Sequence, residues 1–195
     1  MGKAQETRHF IIQKVAPIFN KKGYAGTSLS DLTTATGLTK GSIYGNFKDK
    51  NEVAIEAFRY NCGQLTSEIR TLINQTEDCV QKLLIFLAFY KTNFYRVFKN
   101  GGCAMLNTAV DADDTHPALK EEVVGAIESW KGKVESILKK GMENNEIIKV
   151  DVERFSSKML AMIEGSIMLS KTTGKINYLL YNLEDLETEI KKLKK

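Results

Sequence analysis

Apolar residues in this chain recur every three or four positions almost from end to end, and a strand-like alternation appears nowhere convincingly. Only two prolines occur in 195 residues, so long helices run without interruption. The pattern predicts an all-α protein of about nine helices. A first helix is expected from about Lys3 to Lys22, stopped by Gly23, with Phe10, Ile11, Val15, Ile18 and Phe19 inward. Ser28 with Asp31 three residues on fits a capping box, Thr27 being the other candidate cap. The short helix that follows places Leu29, Leu32 and Ala35 inward and ends at Gly37. Thr39 can cap a third helix through Phe47. Asp49 with Glu52 opens a long fourth helix to about Ile73. Beyond it the spacing predicts helices over 77–99, 102–111, 117–145, 152–171 and 176–193.

Composition narrows the class. An apolar fraction of 43% with 27% charged residues describes an ordinary globular chain. The longest apolar run, Leu83 to Tyr90, falls far short of the ~20 residues that a spanning helix needs, so no membrane is expected. The first ten residues hold no apolar signal core, and Glu6 stands where a myristoylation site wants Ser or Thr. Cys62, Cys79 and Cys103 are odd in number, far apart and without a CxxC pair, which favours a reducing cytoplasm over a disulfide framework or zinc site. Nothing calls for a cofactor.

The net charge of +4 is concentrated. Residues 1–52 hold eight Lys/Arg (3, 8, 14, 21, 22, 40, 48, 50) against four acids (6, 31, 49, 52), leaving 20 against 20 among the other 143. A polyanionic partner for that first quarter is one reading, and a solvated face with a chance asymmetry is the other.

The stretch "TKGSIYGNF", residues 39–47, bears on that choice. It is either a loop and capped turn between core helices or part of a DNA-reading motif, which the capping box, turn glycine, apolar spacing and local charge together favour. Two short helices joined by a glycine-containing turn and braced by a preceding helix make a helix-turn-helix, whose second helix enters the major groove of DNA. Gly41 and Ser42 let the backbone come close to bases or phosphates. Lys40 can reach a phosphate or a guanine edge, and Asn46 can pair with an adenine edge. Thr27, Tyr44 and Lys50 are placed to bond phosphates. Leu38, Ile43 and Phe47 face the other way, toward the core. With Thr39 and Lys48 these residues form the expected DNA-binding set.

At these residues the chain resembles a known family. "GYAGTSLSDLTTATGLTKGSIYGNFKDKNEV", residues 23–53, looks like the DNA-binding segment of TetR-type transcriptional regulators. Gly23, Thr27-Ser28-Leu29, Ala35-x-Gly37, Lys40-Gly41-Ser42-Ile43-Tyr44, Phe47 and Lys50 carry the match. Gly45 and Asn46 depart from it, since many members have an aromatic and then His or Tyr there. "NGGCAMLNTAVDADDTHP" also looks like one branch of the family. The resemblance implies a homodimer that binds a palindromic double-stranded DNA operator and is released by a small molecule. It implies a DNA-binding domain over 1–49, joined by a long helix to a ligand-binding and dimerisation domain over 50–195.

Sensing and pairing fall to the later helices. Residues 80–98 are apolar nearly all round. They are either plain core, or Phe86, Phe89, Tyr90 and Phe94 line a cavity with Cys103, Met105, Asn107, Trp130 and Met162 for a small apolar or aromatic effector. On the last two helices Phe155, Met159, Ile163, Ser166 and Ile167, with Leu179, Leu183 and Leu186, form stripes. These fit either intrachain core or, as the family pairs, a four-helix dimer interface. Asp111, Asp113, Asp114 and His116 could hold a metal or serve a helical enzyme; the plainer reading has the last acids capping the helix that starts at Pro117. A ligand-responsive repressor is the leading function, ahead of an activator or effector-independent regulator and well ahead of an enzyme.

Overall fold

The three-to-four spacing becomes nine α-helices among residues 2–195, which the computed structural model describes: α1 (Lys3–Gly26), α2 (Leu29–Thr36), α3 (Lys40–Tyr44), α4 (Lys50–Ile73), α5 (Cys79–Lys99), α6 (Ala104–Ala112), α7 (Pro117–Glu143), α8 (Val152–Thr173) and α9 (Asn177–Lys191). No β-strand occurs among these residues; a single isolated bridge joins Ile147 and Lys194. The two ends that differ most from expectation do so for local reasons. Gly23 does break α1, at φ 72° and ψ 177°, but a further turn follows to Gly26. α3 stops at Tyr44 rather than Phe47, because Asn46 bonds back only three residues, to the Ile43 carbonyl. In α1, Phe10 lies outside the core at 39% exposure, whereas Ile11, Ile12, Val15 and Ala16 are buried.

The helices form two compact units, the first of residues up to Leu65 together with Asn100–Ala126, the second of Thr66–Lys99 and Ile127–Lys195. In the first, α1 packs against α2 and α6. Its core is Ile11, Val15, Leu32, Ile43, Val53 and Ala57, each fully buried. An amide knot fixes α6 on α1. The Asn20 amide donates to the carbonyls of Asn100 (2.7 Å) and Gly102 (3.1 Å), and the Asn107 amide donates to the Asn20 side chain (3.0 Å) and the Gly101 carbonyl (2.8 Å). Gly101, at φ 105°, has to be glycine, as a Cβ there would also press on the Asn20 amide and the Lys21 stem at 3.0–3.1 Å.

In the second unit α9 packs on α8 and on α5. Met159, Ile163, Ile167, Leu179, Leu186 and Ile190 fill the space between them with 2% exposure or less. α4 and α7 each run on from one unit into the other, crossing after Leu65 and after Ala126. α4 is therefore one of two helices that run between the units.

Candidate nucleic-acid interface and ligand cavity

Local hydrogen bonds build the helix-turn-helix from its ends inward. The Ser28 hydroxyl accepts from the Asp31 N–H (3.1 Å) while the Asp31 carboxylate accepts from the Ser28 N–H (2.8 Å), a complete capping box. Lys22 reaches the same carboxylate at 2.6 Å. That bond and those from Ser28 hold Asp31 well below the usual carboxylate range, at about 2. Gly37 closes α2 in the left-handed conformation (φ 68°, ψ 10°), its N–H bonded to the Thr33 carbonyl. Thr39 then caps α3, its hydroxyl accepting from the Ser42 N–H at 3.2 Å. Leu32 and Ile43 are both fully buried, with α2 packed on α1 and α3 on α2.

The expected DNA-contacting residues divide sharply. Thr39, Lys40, Gly41, Ser42 and Lys48 are exposed, with Tyr44 and Asn46 half-buried beside them. The Asn46 amide nitrogen already donates one of its two hydrogens to the Ser42 carbonyl (2.9 Å). Thr27 is enclosed at 1% exposure, and its hydroxyl donates to the Gly23 carbonyl at 2.6 Å. Burial of the α1–α2 corner makes Thr27 a fastening of the fold rather than a surface group. Lys50 is likewise engaged, donating to the Tyr24 carbonyl (2.6 Å) and lying over the Tyr24 ring at 4.3 Å.

Two positioning residues escape a reading by motif. Arg8 on α1 donates to the Asn46 carbonyl and to Glu52, both at 2.5 Å, with its guanidinium 4.2 Å above the Phe47 ring. It ties the end of α3 to the start of α4. The Lys48 N–H, and then Arg8, lower the Glu52 pKa. Tyr24 bonds the Asn51 side chain and stacks edge-on with His116 at 4.4 Å. His116 itself caps α7, its Nδ1 accepting from the Leu119 N–H (3.2 Å). The cap was expected from the acids. Instead Asp111 accepts from the Tyr24 N–H (2.5 Å) and Asp113 from the Asp114 N–H (2.9 Å). No cluster of three metal-ligating side chains occurs among the described residues.

The second unit holds an open cleft of about 260 Å³ between the end of α4 and the middle of α7. Ile69, Ile73, Phe86, Trp130 and Ile137 supply its apolar wall; Arg70 and Lys133 bring charge, and Thr66, Asn74 and Ser136 bring smaller polar groups. Of the nine expected ligand-lining residues, Phe86 and Trp130 stand here, their rings edge-to-face at 5.1 Å. Phe89 and Tyr90 are buried against each other, and Phe94 stacks on Phe98. Met162 is half-buried on α8. Cys103, Met105 and Asn107 pack in the first unit, where Asn107 belongs to the amide knot. The missed residues were visible as a stripe, since Thr66, Ile69, Arg70 and Ile73 recur at three and four on one helix face.

The residues expected to meet a second copy meet their own chain. Phe155, Met159, Ile163, Ser166, Ile167, Leu179, Leu183 and Leu186 are all buried, none above 5% exposure. The stripes are intrachain core because α8 and α9 pack on each other and α9 also packs on α5. What α8 and α9 leave outside is Met168 (46%), Leu169 (40%), Tyr178 (39%) and Tyr181 (62%).

Comparison with known proteins agrees with this geometry. Residues 11–57 match the family model described as bacterial regulatory proteins of the tetR family, and residues 79–184 match the tetracyclin repressor-like C-terminal domain. A TetR-family transcriptional regulator from Cytophaga hutchinsonii superposes with a TM-score of 0.93 at 42% identity, over 100% of this chain and 98% of that one. One from Chloroflexus aurantiacus J-10-FL gives 0.92 at 33%, with the same coverage. The HTH-type transcriptional repressor DhaR of Mycobacterium sp. (strain GP1) is 24% identical, over 84% of this chain and 82% of that protein. A three-helix head with Lys40, Ser42 and Tyr44 turned outward, sharing a chain with a tetracyclin repressor-like second half, has one consistent interpretation: the chain belongs to the TetR family of transcriptional regulators, and not to a family of enzymes.

Proposed function

We propose that the protein is a cytoplasmic, ligand-responsive repressor that binds a palindromic operator as a homodimer and lets go when a small molecule fills the cleft of the second unit. The observation that carries this reading is the exposed tip of α3, where Lys40, Gly41, Ser42 and Tyr44 are exposed or half-buried while Arg8 and the two caps hold the backbone still. A rigid five-residue helix reads only a few base pairs, so two copies are needed for specificity. The family's regulators act as dimers, and the exposed Met168, Leu169, Tyr178 and Tyr181 supply an apolar face for a second copy. In functional terms residues 1–49 read DNA and 50–195 sense and pair. No described helix is long and apolar enough to cross a membrane.

Selection of bound fragments from random DNA tests this directly. Recovered fragments should share an inverted repeat. Lys40→Ala and Tyr44→Ala should each weaken binding with the helical fold intact, and affinity should fall with added salt at a slope of roughly 0.9 per phosphate contacted. Variants that bind like the parent, or a flat salt response, would remove α3 from the interface.

A further inference from the structure

The cleft carries two cations with nothing to balance them. Lys133 is half-buried on its wall and Arg70 stands at its rim. Neither forms an ion pair or hydrogen bond among the described residues, whereas Arg59 and Arg96, on the same two-unit framework, each hold a carboxylate in a fork. Burial, and then the neighbouring Arg70 guanidinium, push the Lys133 amine below its ordinary pKa. Beside the cations lies an apolar wall of Ile69, Ile73, Phe86 and Trp130. The Trp130 Nε1–H is enclosed and has no acceptor, one more donor left wanting. Two uncompensated cations over an apolar floor favour a ligand with the opposite make-up.

We propose that this cleft binds small amphipathic monocarboxylates, the carboxylate between Lys133 and Arg70 and the apolar body against Ile69, Ile73, Phe86 and Trp130. A monocarboxylate fits better than a phosphate dianion, which needs more donors than two side chains and tolerates an apolar floor poorly. The volume of about 260 Å³ lies just below the ~300–1,000 Å³ of drug-sized sites, so the occupant is a short acyl chain or a single ring. That this anion acts as the effector rests on the regulator reading above; that it binds does not.

The chain has one tryptophan, and it lines the cleft, so its fluorescence reports occupancy directly. Octanoate and 4-phenylbutyrate are titrated into the full chain, each against its own neutral primary amide. The acids should shift Trp130 emission saturably and bind about tenfold tighter than the amides, the ratio of one charge-assisted bond. Lys133→Gln should erase that preference, and Arg70→Gln should reduce it, with thermal unfolding confirming that both variants fold. Amides that match the acids, a preference surviving in Lys133→Gln, or no response from any probe overturns the proposal. Fragment selection on the parent, run in parallel, separates the two readings. DNA binding without acid preference sinks this site alone, and acid binding without DNA binding sinks the regulator reading alone.

Discussion

Asp31 holds three donors at once: the Lys22 ammonium at 2.6 Å and the N–H and hydroxyl of Ser28 at 2.8 Å each. They favour the ionised carboxylate, the Lys22 bond most, and lower its pKa from 3.8 to about 2. A carboxylate depressed in this way stabilises the fold above its unfolded pKa, and the benefit is lost as pH falls through the folded one. The stability gap between the parent and Asp31→Ala should therefore be full at neutral pH, shrink below about pH 4 and close near pH 2. Urea titrations at stepped pH measure it, and a gap that stays constant down to pH 2 would refute the assignment. Asp31 was legible because its cap partner is three residues away. Arg8 was not, as its partners lie 38 and 44 residues on and only the folded chain brings them together. Its two bonds and its stacking on Phe47 need a planar fork, which lysine lacks. Arg8→Lys should cost about 1–2 kcal/mol in a denaturant titration. It should also weaken DNA binding, since the Asn46 end of α3 is then held less firmly. Unchanged values in both measurements would reduce Arg8 to a surface charge.

Helices were easy to read and their partners were not. Periodicity and caps locate all nine elements to within a few residues, because both act through hydrogen bonds of near sequence neighbours. The face that each stripe meets depends on the third element, which no window of sequence contains. The α8–α9 stripe is equally apolar whether it meets a second chain or its own, and here α8 and α9 bury it against each other, with α5 packed on α9. The ligand wall went the same way: Asn107 has the polarity of a cavity residue, yet its amide is committed to Asn20 and Gly101. Close helix contacts were similarly hidden. Gly141 of α7 meets Cys79 of α5 so tightly that an added Cβ would lie 2.2 Å from the Cys79 Sγ. The glycine is there for proximity, since a helix interior otherwise favours alanine. Gly141→Ala should then destabilise the fold by about 1–3 kcal/mol, against the usual sign of that exchange. Cys79→Ala removes the sulfur and leaves a Cβ contact of 3.0 Å, which a shift of a few tenths of an ångström relieves. The double variant should recover much of the loss, and a denaturant-based double-mutant cycle reads that coupling. Strict additivity would place the strain elsewhere.

At the scale of the molecule the question is what remains outside once every stripe has found its neighbour. α7 carries Glu122, paired with Arg59 of α4, in the first unit and Trp130 with Lys133 in the second. In the proposed mechanism a ligand at its middle would therefore act on a helix that also belongs to the unit holding α3. An effector can shift DNA affinity only by its preference for one arrangement of such an element, typically 1–3 kcal/mol. In the proposed dimer, pairing would set how that shift is felt, because tight binding to an inverted repeat needs both half-sites held at once. The buried and exposed residues of α8 and α9 make opposite predictions about pairing. Leu183, at 2% exposure, lies in the chain's own core, so Leu183→Glu buries an unpaired carboxylate and should unfold the second unit whatever the oligomeric state. Tyr181 at 62% and Leu169 at 40% exposure stand outside that core. Leu169→Glu with Tyr181→Glu should leave the helical signal and the thermal midpoint of the dilute chain almost unchanged while converting dimer to monomer in sedimentation. Operator affinity should fall with it, because the second half-site no longer arrives with the first. A double variant that still sediments as a dimer would move the pairing surface off α8 and α9. A parent that is monomeric at micromolar concentration yet binds an inverted repeat tightly would remove pairing in free solution from the mechanism.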